Sequence, residues 1–416
     1  MSARRQTLVI LCIASIGLCG CAHRPISETP LSILTLQRDS LQWQQRNNHL
    51  IPGQKETEAI LLLSQQRDLS SEDIDADGVI NLVDPSPEDW REIGYQPFGM
   101  LAFLSWNHEW NNYKYDQAGL KKAAQLLKEA GVAMVRMDFL WEDIEPQQDA
   151  FDFAQYDYIV DVFAEHNIRI LGIMGYSASW AGTQWNAPPT DFSDFTDFVS
   201  HVVARYKDTI KYWEIWNEPD SRTYWDPQDD MKTYTQLLTA SYAAAKEADP
   251  TCKIVLGGMT SRGYYALQNV YRNGGKDYFD IINIHPFVNP SLSGEFNRIF
   301  ALYQSIKRLQ ERYDDKEKKI WFTEIGCPGI APGQKQQGWW EGKSPTEKQQ
   351  AAFLDEVYTK LIPLPDVEKI FWAYFRDNKG HFKTDVDYFG VIRWDFSKKP
   401  AYNTLQKNYL RWSQRR

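Results

Sequence analysis

Two glutamates stand where acid–base chemistry is easy to build. Glu218 ends the run Trp213-Glu214-Ile215-Trp216-Asn217-Glu218, just before Pro219, and Glu324 ends Trp321-Phe322-Thr323-Glu324. Each run is a short apolar, β-rich segment that breaks into a loop. Two carboxyls at one cleft can divide the work of breaking a glycosidic bond: one, protonated, donates to the leaving oxygen, and the other, ionised, attacks or stabilises the cationic centre. Burial and mutual repulsion push their pKa values apart and so assign the roles. Glu145 and Glu214 read instead as structural.

Those two runs belong to a larger alternation. From Gln96 onward, β-rich segments are followed by amphipathic helical ones, the pattern of a parallel α/β architecture. Strands are expected at Gly99–Ser105, Met134–Phe139, Arg169–Met174, Tyr212–Trp216, Lys253–Gly257, Ile281–His285, Lys319–Thr323 and Ile370–Tyr374. Helices are expected at Ala118–Ala130, Tyr156–His166, Phe195–Tyr206, Met231–Ala248, Asn297–Tyr313, Pro345–Leu361 and Tyr402–Trp412. Eight such units make an α/β fold of the (β/α)8 (TIM) barrel type over residues 96–412, with active groups at the C-terminal ends of the strands. A doubly wound open sheet is the competing reading, but no glycine-rich phosphate loop follows the first strand. In the barrel, Glu218 sits at the top of strand 4 and Glu324 at the top of strand 7, across the mouth from one another.

Asn217-Glu218-Pro219 on strand 4 with a second glutamate on strand 7 resembles glycoside hydrolase clan A, the retaining barrel hydrolases, family 39 first and family 5 second. The segment Val135-Arg136 through Trp141-Glu142-Asp143-Ile144-Glu145-Pro146, the triplet Ile284-His285-Pro286 and the closing stretch Asp385–Trp394 are similar as well. The resemblance implies that Glu218 is the general acid/base and Glu324 the nucleophile. It further implies that Asn217 binds the sugar 2-hydroxyl, that Arg136 holds Glu324 ionised, and that His285 orients the nucleophile or the sugar. Many clan members carry a tyrosine beside that histidine; this chain has Phe287, and Tyr176 after strand 3 is a candidate stand-in. No catalytic cofactor is implied.

Aromatic residues reach 14% of the chain, 16 of them Trp, and many fall at the mouth. Trp106, Trp180 and Trp372 are expected to line sugar subsites, with Trp110, Trp185, Trp225, Trp339 and Trp340 on the same loops. Trp213 and Trp321, inside strands, read as core. Cys252 enters strand 5 and Cys327 leaves strand 7, at opposite ends of the barrel. Strands of this length separate those ends by ~17–20 Å, so the two thiols are expected to be free.

The N-terminal quarter reads differently. Arg4 and Arg5 precede an apolar run from Thr7 to Leu18, short of the ~20 residues a membrane-spanning helix needs. It ends in Leu18-Cys19-Gly20-Cys21, which resembles a bacterial lipoprotein signal: residues 1–20 would be removed and Cys21 would carry the lipid. Ala22 lacks the aspartate associated with inner-membrane retention, so a lipid anchor in the outer membrane of the cell envelope is expected. Residues 21–70 form a polar, glutamine-rich tether. Within residues 71–90, Asp73, Asp75, Asp77, Asn81 and Asp84, with the carbonyl of Val79 and a turn at Gly78, place oxygens at the spacing a structural Ca²⁺ needs. Pro85 and Pro87 forbid an immediate exiting helix, and the loop resembles those of thrombospondin type 3 repeats and dockerins.

A net charge of −9 argues against a nucleic-acid partner, and a mean hydropathy of −0.52 excludes a polytopic membrane protein. The expectation is a monomeric, lipid-anchored hydrolase of β-linked poly- or oligosaccharides, with a bacterial exopolysaccharide among the candidates. A polysaccharide-binding lipoprotein without turnover is the alternative.

Overall fold

The computed structural model describes residues 96–227 and 230–414. The signal, Cys21, the tether and the calcium-loop ligands Asp73, Asp75, Asp77, Val79, Asn81 and Asp84 lie outside the described residues.

Eight parallel strands follow one another: β1 (Phe98–Leu101), β2 (Met134–Leu140), β3 (Arg169–Gly175), β4 (Tyr212–Asn217), β5 (Lys253–Gly258), β6 (Ile282–Asn283), β7 (Ile320–Ile325) and β8 (Val367–Trp372). They pair in the order β5-β4-β3-β2-β1-β8-β7-β6. Parallel bridges Val255–Ile281 and Met259–Ile284 join the two ends, and the sheet closes into a barrel. Around it run α1 (Gln117–Glu129), α2 (Trp141–Ile144), α3 (Ala154–Glu165), α4 (Phe192–Tyr206), α5 (Met231–Ala248), α6 (Gly263–Arg272), α7 (Phe296–Arg312), α8 (Glu347–Leu361) and α9 (Pro400–Ser413).

Local chemistry sets several boundaries. The Asp116 carboxylate accepts from the Gly119 amide at 2.7 Å and starts α1. Thr346 and Gln349 form a reciprocal capping box at α8, so that helix begins after Pro345. Pro400 occupies the first turn of α9, where its missing N–H costs nothing. Helix α6 was not expected; its N-cap Arg262 makes no side-chain capping bond, and no start signal marks it.

The period-two alternation of each strand builds two cores. Residues pointing outward meet the helices. Those pointing inward include Met134, Leu171, Val255, Ile281, Trp321 and Phe371, a separate buried cluster that plugs the barrel floor. Each fully buried large apolar side chain contributes ~1.5–3 kcal/mol relative to exposure. Two residues further up the strands the inward layer turns polar: Arg136 follows Met134, Glu214 follows Tyr212 and Thr323 follows Trp321. The site therefore rests on a dry, packed floor. Cys252 and Cys327 are buried free thiols.

Candidate active site

The polar layer is organised by Arg136, whose side chain is 1% exposed. Its guanidinium forks onto Glu214, with Nε to Oε2 at 2.7 Å and Nη2 to Oε1 at 2.7 Å. Nη1 donates to Glu324 Oε1 at 2.5 Å, and Nη2 also donates to Asn217 Oδ1 at 2.8 Å. Glu214 takes a further bond from the Gly258 amide at 3.0 Å. One buried cation thus aligns strands β2, β4 and β7. Because a guanidinium only donates, the Asn217 atom facing it is the oxygen, and the amide nitrogen is left as the donor for a ligand.

Two breaks in strand parity bring the carboxyls inward. On β7, pairing with β8 shifts register between Phe322 and Ile325. Such a bulge lets consecutive residues face one side: Thr323 bonds Asn283 and His285, while Glu324 reaches Arg136. At the top of β4, Trp216 and Glu218 adopt left-handed backbone, with φ of 68° and 42°. Non-glycine residues pay a steric cost there, and such residues cluster at functional sites. The Trp216 indole donates to the Tyr224 carbonyl at 2.7 Å, which holds the turn.

His285 stands behind the pair. Its Nδ1 is 3.0 Å from Glu218 Oε1 and 3.9 Å from Glu324 Oε1; its Nε2 is 2.9 Å from Thr323 Oγ1. It was expected to orient the nucleophile or the sugar; its shorter contact is with the Glu218 carboxyl. The ring lies over Gly258, where a Cβ would come within 2.0 Å of Nε2; only glycine admits it. One carboxylate oxygen each from Glu218 and Glu324 and a ring nitrogen of His285 all lie within 4.8 Å of one another. That spacing would suit a divalent cation, but the guanidinium already supplies positive charge at Glu324.

Burial raises both carboxyls. Glu218 is pushed well above its ordinary range, by desolvation first and by the charge of Glu324 second. Glu324 is pushed up to about 7, because burial outweighs the opposing pull of Arg136. Arg136, expected to hold Glu324 ionised, is the group that opposes this rise. Desolvation, with Arg136 nearby, pushes the His285 pKa well below the usual histidine value.

The aromatic expectations divide. Trp106 is half-buried at the mouth, its indole donating to Asp138 Oδ2 at 2.9 Å; burial lifts Asp138 to about 6. Tyr176, also left-handed at φ 62°, packs against Trp185 and Trp216 with centroids 5.2 and 5.6 Å away. Its phenol is pushed up by burial first, with Asp138 and Glu324 among the charges acting on it. Trp180 turns its edge to Trp141 and donates to the Glu145 carbonyl at 2.8 Å, so much of its ring is spent on the wall behind the mouth. Trp372 is a correction. It is fully buried and packs on Phe353 of α8, because its neighbour Phe371 takes the inward position and alternation turns Trp372 out to the helices. Trp225 and Trp339 are buried too, whereas Trp110, Trp185 and Trp340 are each more than half exposed.

Three groups escaped sequence reading. Tyr224, beyond β4, and Tyr374, beyond β8, both feel the charges of Glu218 and Glu324, and Asp138 lies two residues above Arg136 on β2. Period-two counting from Arg136 was the available signal for Asp138, and Tyr374 closed the expected strand Ile370–Tyr374, at the end where active groups belong; Tyr224 sits on a loop with no such signal.

The walls of the mouth are tied together. Asp385 Oδ2 accepts from the amides of Gln337 and Gly338 and from Ser344 Oγ, at 2.9, 2.7 and 2.7 Å. Arg376 bonds the Tyr113 carbonyl and lies 3.9 Å over the Tyr115 ring. The buried pair Lys399–Asp377, 2.7 Å apart, anchors the last loop to α9.

The sequence profile of glycosyl hydrolases family 39 matches residues 90–318. The chain is 26% identical over 214 residues to the β-galactosidase BgaA of Clostridium cellulovorans, covering 44% of this chain and 30% of that protein. It is 26% identical over 147 residues to endo-1,4-β-xylanase 3 of Hypocrea jecorina, covering 33% of this chain and 41% of that protein. It therefore spans less than half the length of these curated relatives. Among solved structures, a family 39 glycoside hydrolase of Bacteroides cellulosilyticus superposes with a TM-score of 0.61 at 24% identity, covering 76% of this chain and 64% of that one. A GH5 subfamily 18 protein of Streptomyces cattleya, solved with GlcNAc, superposes at 0.59 with 16% identity, covering 76% and 80%. At those identities the superpositions establish the shared barrel.

Proposed function

The chain belongs to glycosyl hydrolases family 39, and from that premise we propose that it hydrolyses β-linked bonds of a polysaccharide or oligosaccharide by double displacement, with net retention. The observation that carries this reading is the separation of the two carboxyls. Oxygens of Glu218 and Glu324 lie within 4.8 Å; retaining enzymes hold their carboxyls ~5–5.5 Å apart, whereas inverting enzymes need ~6.5–9.5 Å to seat a water.

In the first step Glu324 attacks the anomeric carbon while Glu218 protonates the departing oxygen. In the second, Glu218 takes a proton from water as that water displaces Glu324 from the sugar. Glu218 suits the acid role because burial and its neighbour's charge favour its protonated form. Glu324 suits the nucleophile role because Arg136 opposes its protonation. The Asn217 amide nitrogen is placed to donate to the 2-hydroxyl, a contact that strengthens in the transition state. The exposed rings of Trp110, Trp185 and Trp340 suit a longer glycan, with an exopolysaccharide among the substrates this would fit.

Incubation with a panel of β-linked glycans, beside Glu324→Gln, tests the reading. Products are expected from the native protein and at most traces from the variant; equal turnover by both would overturn it. The accompanying proposals for residues 1–90 have separate tests. Lipid on Cys21 is checked by mass spectrometry of the envelope fraction, and Ca²⁺ at Asp73–Asp84 by calorimetric titration.

A further inference from the structure

Behind Glu218 runs a chain of groups in which every donor and acceptor can be assigned. It starts at a group that cannot change roles, the backbone N–H of Thr323. That amide faces Asn283 Oδ1 at 3.3 Å, so the Asn283 atom there is the oxygen. The Thr323 hydroxyl lies 2.8 Å from the same oxygen and has to donate its single proton to it. A lone pair of Thr323 Oγ1 is left for His285 Nε2, 2.9 Å away, so Nε2 carries hydrogen. His285 is completely buried, and burial together with nearby Arg136 disfavours a second ring proton. Nδ1 is then a bare acceptor 3.0 Å from Glu218 Oε1. Two bare acceptors at that distance repel, so the intervening proton sits on Glu218.

We propose that Thr323 and Asn283 are positioning residues for hydrolysis: they lock His285 in the Nε2–H tautomer, so that His285 offers Glu218 a lone pair and never a proton. This rests on the reading of Glu218 as acid/base. In the resting protein the arrangement stores the acid proton. Rotation of the Glu218 carboxyl then carries that proton to the glycosidic oxygen, which keeps the electron pair of the breaking C–O bond. The carboxylate left behind gains no hydrogen bond from the histidine, stays basic, and recovers a proton from the attacking water. The bulge in β7 makes this possible, because it points Thr323 at His285 and the adjacent Glu324 at Arg136.

Other charged or titratable groups act on Glu218 and His285: Arg136 on β2, Glu214 on β4 and Asp220 beyond it, Glu324 on β7, and the loop residues Tyr224 and Tyr374. All stay in place when Thr323 is changed. In Thr323→Val the ring loses its acceptor and is free to turn its proton to Nδ1, where it stabilises ionised Glu218. The alkaline limb of kcat/KM on a β-linked oligosaccharide, whose leaving group needs protonation, is expected to fall by about one to two pH units, one charge-assisted hydrogen bond having changed sides. Thr323→Ser is expected to restore the native limb. Nitrogen-15 NMR of the unmodified protein should show His285 neutral with hydrogen on Nε2. A folded Thr323→Val variant with an unmoved alkaline limb would overturn the inference, as would a native ring protonated on Nδ1. The ring assignment decides the matter if the valine variant does not fold. Full turnover by Glu218→Ala would instead remove the acid/base reading on which the inference rests.

Discussion

Replacing Arg136 by glutamine removes the guanidinium that faces Glu324 while keeping a polar side chain in the layer. With Nη1 2.5 Å from Glu324 Oε1, the charge centres stand roughly 4 Å apart. At an effective dielectric of ~20 that attraction is ~4 kcal/mol, or about three pKa units. Glu324 starts at about 7, and losing a stabilising cation raises a carboxyl further. Catalysis needs Glu324 ionised, so the acid limb of kcat/KM moves up by about two to three units. At pH 7, where about half of native Glu324 is ionised, the rate falls ~50–500-fold for lack of nucleophile. The assay is kcat/KM for an aryl β-glycoside from pH 5 to 10, with circular dichroism to confirm folding, since Glu214 also loses its partner. Arg136→Lys keeps the charge without the fork and should move the limb by under about one unit. A folded Arg136→Gln variant with the native acid limb would refute the electrostatic argument.

Other consequences follow from the same contacts. Glu218→Ala should lower kcat/KM by ~10²–10⁴ on glycans, whose leaving groups need protonation, and much less on aryl glycosides with acidic leaving groups; comparing the two substrates checks it. Lys399→Met strands the Asp377 carboxylate in a buried site and should cost about 3–5 kcal/mol in denaturant unfolding, with part of the loss recovered in the double variant with Asp377→Leu. Trp372→Ala should destabilise the fold by about 3–5 kcal/mol, whereas Trp340→Ala should leave stability unchanged and raise KM for a polymer only; melting curves and kinetics separate the two.

Much of this arrangement was readable because the strands obey a period of two. Met134, Arg136 and Asp138 climb β2 from floor to mouth by that rule, and helix α5 matches its expected bounds, Met231–Ala248. What was not readable lies where the period fails. A register shift on β7 turns both Thr323 and Glu324 inward, and left-handed backbone at Trp216 and Glu218 resets β4. Residue type placed Trp372 at the mouth, but parity on β8 assigns it to the helix layer. Tyr224 arrives on a loop whose path depends on long-range ties such as the Asp226 amide to the Asn186 carbonyl, and a linear pattern carries no trace of those. Strand β6 is only two residues long in the ladder, although its Asn283 and the His285 just beyond it supply the chain behind Glu218.

The central claim is double displacement through a glycosyl-enzyme on Glu324. Proton NMR of the anomeric region during the first minutes of hydrolysis of a β-linked substrate tests it directly, before mutarotation mixes the products. Double displacement delivers the β-anomer first; first-formed α-anomer would contradict it.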